Sequence, residues 1–244
     1  MTRDSHLVSR VEAKQSADGQ TRGQTRAQTR AVLFDLDGTF ADTAPDMARA
    51  LNHVRAMQGH PALPLAQIRP HVSNGARGMI GVGFGIPPED ERFARLRDAF
   101  LDFYEQNVCV ETTVFPGMME VVGELESRQI AWGIVTNKAT RFTLPLLRQL
   151  NLDQRTGCIV CGDTAARAKP HPDPLLHAME LVGIPPEYGV YVGDDERDVQ
   201  AAHAAGMRAL VAQYGYLGVG SAPGQWGASA IVATPDDILL HLVK

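Results

Sequence analysis

From residue 31 onward, short apolar runs recur at 31–34, 130–136, 158–161, 189–193 and 208–212. Each is short for a helix. Neighbouring positions are apolar alike, the pattern of a strand covered on both faces. Between the later runs, apolar residues recur at helical spacing over 118–127, 140–150, 173–181 and 198–205. Buried strands alternating with helices predict an α/β fold, a Rossmann-like parallel sheet with helices on both faces.

The interval from Thr43 to Thr113 breaks that rhythm. Helical patterns at 45–57 and 91–107 are separated by Pro- and Gly-rich joints at 59–64 and 81–88. This is too much chain for one crossover. It predicts an all-helical cap, 43–113, inserted into an α/β core formed by 31–42 and 114–244. Residues 1–30 differ again, with the polar near-repeat Gln20-Thr21-Arg22, Gln24-Thr25-Arg26 and Gln28-Thr29-Arg30. With no apolar periodicity, this segment is expected to be a disordered tail. It lacks the apolar run of a secretory signal, and its acidic residues argue against a transit peptide.

Composition narrows the function classes. A formal charge of −5 gives no electrostatic case for nucleic acid. No apolar run approaches the ~20 residues of a membrane span. A cytoplasmic protein acting on a small molecule is the expectation, and monomer and homodimer both stay open. Cys158 and Cys161 form a C-x-x-C spacing, but in a strand residues three apart face opposite ways. Without a second cysteine pair they read as buried small apolar side chains.

The candidate chemistry lies at the ends of the apolar runs. Phe34 leads into Asp35-Leu36-Asp37-Gly38-Thr39. Aspartate is costly to bury unless paired or bound to a metal, although Asp-Gly alone also fits a turn. The next run ends in Thr136-Asn137-Lys138, and Lys169-Pro170 follows the third. The fourth ends in Gly193-Asp194-Asp195, with Asp198 one helical turn on. In an open parallel sheet these strand ends share one edge, where ligands bind. Clustered carboxylates suit Mg²⁺, a hydroxyl and an ammonium suit phosphate oxygens, and an aspartate can act as nucleophile. The chain has four lysines against nineteen arginines, which singles out Lys169 as a required compact ammonium. Lys138 fits a helix start equally well.

These four motifs, in this order and around a helical insert, resemble the haloacid dehalogenase (HAD) superfamily in its phosphoglycolate-phosphatase-like branch. The resemblance covers the chain from Ala31 onward. It implies a Mg²⁺-dependent phosphomonoester hydrolase with a HAD-like core. Asp35 would be the nucleophile, forming an aspartyl-phosphate, and Asp37 the general acid and then base. Asp35, the backbone carbonyl of Asp37, and Asp194 would hold Mg²⁺. Thr136, Asn137 and Lys169 would bind the phosphoryl group, and Asp198 would orient Lys169. Asp195 stands where this branch often has Ser, and metal, metal-bound water and solvent are all open as its partner.

Other features discriminate among relatives. Asp37 is absent from the dehalogenases of the superfamily, and the cap has no Lys for the Schiff base of phosphonatases. A sugar phosphomutase similar to β-phosphoglucomutase is the alternative, and a non-catalytic binding module a third reading. Arg77, in Ser73-Asn74-Gly75-Ala76-Arg77-Gly78, is the cap candidate for a substrate carboxylate, placed there by a Gly-bearing turn; a solvated arginine is the alternative. The stretches Trp132–Lys138, Tyr214-Gly215-Tyr216 and Gln225-Trp226-Gly227-Ala228 are similar to N-acetylmuramic acid 6-phosphate phosphatases. That substrate and 2-phosphoglycolate both carry a carboxylate and a phosphate. His171 reads as a loop side chain.

Overall fold

A computed structural model of the chain describes residues 28–243. Of the expected tail, residues 1–27 lie outside the described residues, but its end is part of the core. Thr29 is buried, its N–H donates to the Val243 carbonyl at 2.9 Å, and its hydroxyl accepts from Arg208 Nη2 at 2.6 Å. These partners satisfy the backbone there, so order begins before Ala31.

The strand β1 (Ala31–Phe34) is followed by the short β2 (Ala41–Asp42). Four helices come next: α1 (Ala44–Met57), α2 (Leu65–Ile68), α3 (Gly75–Phe84) and α4 (Phe93–Glu105). The chain returns through β3 (Thr113–Val114) to α5 (Met118–Ser127), β4 (Ala131–Val135), α6 (Thr140–Gln149) and β5 (Ile159–Val160). It continues with α7 (Asp173–Leu181), β6 (Gly189–Gly193), α8 (Glu196–Ala204), β7 (Arg208–Ala212) and β8 (Ala230–Val232).

Six strands form one parallel sheet in the order β5-β4-β1-β6-β7-β8. Val32 of β1 pairs with Trp132 on one side and Val190 on the other. The chain builds outward from β1 through β4 and β5, then crosses back to β6. That reversal makes the carboxyl ends of β1, β4 and β6 the switch-point crevice. Strand parity explains the unbroken apolar runs. Val32 and Phe34 enter the core on one face, Ala31 and Leu33 that on the other, and all four are fully buried.

The helical insert is tied at its neck. β2 pairs antiparallel with β3, Asp42 opposite Thr113. Asp46, in the first turn of α1, is completely buried. Its carboxylate accepts from the N–H groups of Val110, Glu111 and Thr112 and from the Thr112 hydroxyl. Those donors make a buried carboxylate tolerable and hold together the two chain segments that cross between insert and core.

Three features differ from the expectation. The pair β2–β3 and the edge strand β8 are two or three residues long, too short for a periodicity. Around Ser73–Gly78, expected as a turn, a 3₁₀ helix over Arg69–Asn74 runs into α3. Glycine lowers helix propensity, but Gly83 of α3 answers a packing need. A Cβ on Gly83 would lie 2.5 Å from Leu51 Cδ1 of α1. Cys158 and Cys161 are buried free thiols, and burial pushes the Cys158 thiol up to about 11. No described helix is long and apolar enough to cross a membrane.

Candidate active site

Asp35, Thr136 and Asp194 are the first residues beyond β1, β4 and β6, and all three are buried. The turn after β1 folds over Asp194. Gly38 there has φ +81°, and a Cβ on it would lie 2.2 Å from Asp194 Oδ2. Only glycine permits both that backbone and that approach. Asp194 Oδ1 accepts from the Thr39 hydroxyl at 3.3 Å, and Oδ2 from the Tyr216 N–H at 2.7 Å.

Lys169, in the loop between β5 and α7, reaches into the middle of this group. Its Nζ lies 2.7 Å from Asp198 Oδ1, 2.9 Å from Asp35 Oδ1, 2.6 Å from the Tyr191 hydroxyl and 3.2 Å from the Val135 carbonyl. Burial opposes its charge, but Asp198 and Asp35 outweigh burial and hold the ammonium above its usual range. Asn137 fixes the backbone of Lys169 from both sides. Its Oδ1 accepts from the Lys169 N–H at 3.0 Å, and its Nδ2 donates to the Lys169 carbonyl at 2.9 Å. The side-chain amide of Asn137 is thereby engaged with Lys169. Asp198, the N3 residue of α8, accepts the Asp195 N–H with its second oxygen at 3.0 Å. Asp195 caps the same helix and accepts from Arg197 Nε at 2.8 Å.

Asp37 sits beside the Asp35–Lys169 pair and is held separately. Lys138 Nζ lies 2.8 and 3.0 Å from its two carboxylate oxygens, and the Thr43 hydroxyl donates a short hydrogen bond to it. Lys138 is thus a member of the site, not only a helix-start residue. Its ammonium also lies 4.9 Å from the ring centre of Tyr104 on α4, which ties the insert to the core.

A cavity of about 240 Å³ opens between the sheet edge and the insert. Asp35, Asp37, Thr136, Asn137, Lys169, Asp195 and Asp198 all reach its wall. The insert contributes Met47, Val72, Phe100 and Tyr104, with the junction of the 3₁₀ helix and α3 over Ser73–Ala76. Arg77 is exposed on α3 and is not part of that wall, because the helix replaces the expected turn and points it elsewhere. His171 is an exposed loop residue.

The donor set suits a divalent cation. Asp35, Asp194 and Asp198 offer carboxylate oxygens within 4.8 Å of one another, all buried. Burial is the largest influence on Asp35 and, with Asp198 and Asp37 adding to it against Lys169, pushes its carboxyl up to about 7. Burial, then the charges of Asp35 and Asp198, drive Asp194 well above the usual range. One ammonium does not neutralise three such carboxylates, whereas a hard cation among them would. Lys169 pairs tightly with Asp198. Asp35 Oδ1 is buried yet has no hydrogen-bond partner, since its contact with Lys169 is off the hydrogen-bonding direction. Asp35 and Asp194 are therefore the carboxylates best placed to act as ligands.

Sequence reasoning missed the residues that brace this set. Tyr191 donates to the Val135 carbonyl at 2.7 Å while holding Lys169. Tyr216 supplies an N–H to Asp194, and its hydroxyl accepts from the Thr43 and Ala44 N–H groups. A tyrosine in an otherwise aliphatic buried strand was the one available signal for Tyr191, since a buried phenol needs a partner. Arg197 and Ser73, both on the cavity wall, carried no comparable mark.

A family profile described as haloacid dehalogenase-like hydrolase matches residues 32–212. The chain is 39% identical over 205 residues to an N-acetylmuramic acid 6-phosphate phosphatase of Pseudomonas putida, covering 84% of this chain and 92% of that one. It is 42% identical over 208 residues to a phosphoglycolate phosphatase of Xanthomonas campestris pv. campestris, covering 85% and 94%. A crystal structure of a predicted phosphoglycolate phosphatase from Haemophilus somnus 129pt superposes with a TM-score of 0.78 at 25% identity, covering 88% of this chain and 98% of that one. With the motif residues gathered at one sheet edge and most of the chain matched, this protein belongs to the haloacid dehalogenase-like hydrolase family, among relatives named as phosphatases.

Proposed function

We propose that the chain is a cytoplasmic, Mg²⁺-dependent phosphomonoester hydrolase acting on a small carboxylated phosphoester. 2-Phosphoglycolate and N-acetylmuramic acid 6-phosphate are the two candidates that the relatives' names supply. The observation that carries the reading is Asp35: a buried carboxylate 2.9 Å from the Lys169 ammonium, at the end of β1 and on the wall of the cavity between core and insert. A nucleophile needs a carboxylate that is held in place by a counter-charge and faces the reacting group.

In this reading an Asp35 oxygen attacks phosphorus, and the ester P–O bond breaks. Asp37 gives a proton to the departing alkoxide. It then takes one from the water that hydrolyses the aspartyl-phosphate, restoring Asp35 and releasing phosphate. Lys169 and the Thr136 hydroxyl hold phosphoryl oxygens, and Asn137 acts through the backbone of Lys169. Asp198 and Tyr191 keep the ammonium aimed. Bound by Asp35, Asp194 and the carbonyl of Asp37, Mg²⁺ would supply charge offsetting the repulsion between carboxylate and phosphate. Met47, Val72 and Phe100 keep the cavity wall apolar and limit water beside the reacting groups.

The test is phosphate release from an aryl phosphate with Mg²⁺ and with EDTA, followed by kcat/KM on both candidates and on hexose phosphates. Mg²⁺-dependent release with preference for a carboxylated ester is expected. Isomerisation of a sugar phosphate without net release would replace this reading with a phosphomutase. No turnover at all would leave a binding module.

A further inference from the structure

Among the described residues, four buried side-chain polar atoms lack a hydrogen-bond partner, and three belong to residues on the cavity wall: Asp35, Tyr104 and Ser73. Native interiors rarely leave such groups unmatched, so each calls for an explanation. Asp35 belongs to the phosphate end. The Ser73 hydroxyl lies on the insert side, where the proposed reaction gives it no role.

Its neighbour is Arg197, which projects from the first turn of α8. Arg197 Nη1 donates to the Ser73 carbonyl at 3.2 Å and Nη2 to Asn74 Oδ1 at 2.6 Å. Nε donates to Asp195 Oδ1 at 2.8 Å, which braces the stem. A guanidinium has five N–H donors, so these bonds leave one on each terminal nitrogen. The other cations on the wall are committed: Lys138 to Asp37, and Lys169 to Asp35 and Asp198. The cavity therefore has a second polar end, with a forked cation and, buried just behind it, the unmatched hydroxyl of Ser73.

Resting on the carboxylated-phosphoester reading, we infer that Arg197 and Ser73 form the subsite for the substrate's carboxylate. A carboxylate there would accept from both terminal nitrogens and, once the Ser73 side chain turns from its buried rotamer toward the cavity, from Ser73 Oγ while the phosphate meets Lys169. The subsite joins core to insert, so filling it would also draw the 3₁₀–α3 junction over Ser73–Ala76 onto the substrate. Arg77, exposed on the far side of α3, takes no part.

The test compares matched ester pairs on the full-length protein with Mg²⁺: 2-phosphoglycolate against 2-hydroxyethyl phosphate, and N-acetylmuramic acid 6-phosphate against N-acetylglucosamine 6-phosphate. The readout is the ratio of kcat/KM within each pair. The wild type favours the carboxylated member of at least one pair. In R197M that ratio falls about 100-fold and in S73A about 10-fold, mainly through KM, whereas R77A keeps it. R197K, which keeps the charge and loses the fork, falls between. Should R197M prove unfolded by thermal melting, S73A and R197K decide. If R197M, R197K and S73A lower both members equally, Arg197 only clasps that junction, and the subsite is overturned while the carboxylated-substrate reading stands. A wild type without preference in either pair overturns both.

Discussion

On the core side of the cavity, Lys169 Nζ meets Asp35, Asp198, Tyr191 and a strand carbonyl, all within 3.2 Å. On the insert side, the hydroxyls of Ser73 and Tyr104 make no hydrogen bond of normal geometry, and the wall there also carries the apolar Met47, Val72 and Phe100. The core side is assembled before any ligand arrives. Its charges are fixed by neighbours, which is what stabilising a phosphoryl transition state requires. The insert side leaves its partners to be supplied by the ligand. One half thus carries chemistry common to any phosphoester, and the other carries choice.

The sharpest way to break this contrast is to disable the core alone. Asp35→Asn should lower kcat by about 10⁴-fold or more while the protein stays folded, measured by phosphate release and circular dichroism. Unimpaired kinetics would remove Asp35 from the nucleophile role. Next comes Lys169→Met, expected to cost on the order of 10³-fold in kcat/KM. It would also cost about 3–5 kcal/mol of stability in urea melts, because Asp35 and Asp198 would lose their shared buried counter-charge.

A smaller effect concerns pH in metal-free protein. The Asp35 carboxyl is raised from 3.8 to about 7 on folding, burial being the main cause, so the folded state binds the proton more tightly. Its stabilising contribution is full below about pH 4 and is lost as pH rises to about 7. Asp194, also raised, acts in the same direction. Relative to Asp35→Asn, the wild-type melting temperature should therefore drop across that window by several degrees, at about 2–4 °C per kcal/mol. Added Mg²⁺ should offset the drop near neutrality. A constant difference between the two proteins would mean that Lys169 already balances the site. The smallest effect belongs to the insert: Tyr104→Phe should change stability by less than about 1 kcal/mol, since its hydroxyl makes no hydrogen bond to lose. A larger loss would show that the two sides are braced alike.

Much of this was readable in order along the chain. The bounds of β1, β6, β7, α5 and α7 coincide with the apolar patterns at 31–34, 189–193, 208–212, 118–127 and 173–181, because the strands are buried along almost their whole length and the helices along one face. Asp35, Thr136 and Asp194 were legible because each stands at the end of an apolar run. By contrast, the start of α3 carries the pattern of a turn, since glycines lower helix propensity and Gly83 makes sense only against Leu51 of α1. Arg77 drew the carboxylate role for the same reason, and Arg197 carried no sign of one. Arg197 meets Ser73 from 124 positions away, and spacing carries no trace of such a contact.

The sequence by itself determined the parallel α/β core, the helical insert and the carboxylates at the strand ends. Local periodicity and the cost of burying aspartate are properties of short stretches. Only the tertiary structure decided which of those groups are already satisfied. It matched Lys138 with Asp37, turned Asn137 onto the backbone of Lys169, braced Lys169 with Tyr191, and left Ser73 and Tyr104 open beneath the insert. Whether a polar group has a partner depends on distance and angle between segments far apart in the chain. Those are set when the two sides of the cavity pack together.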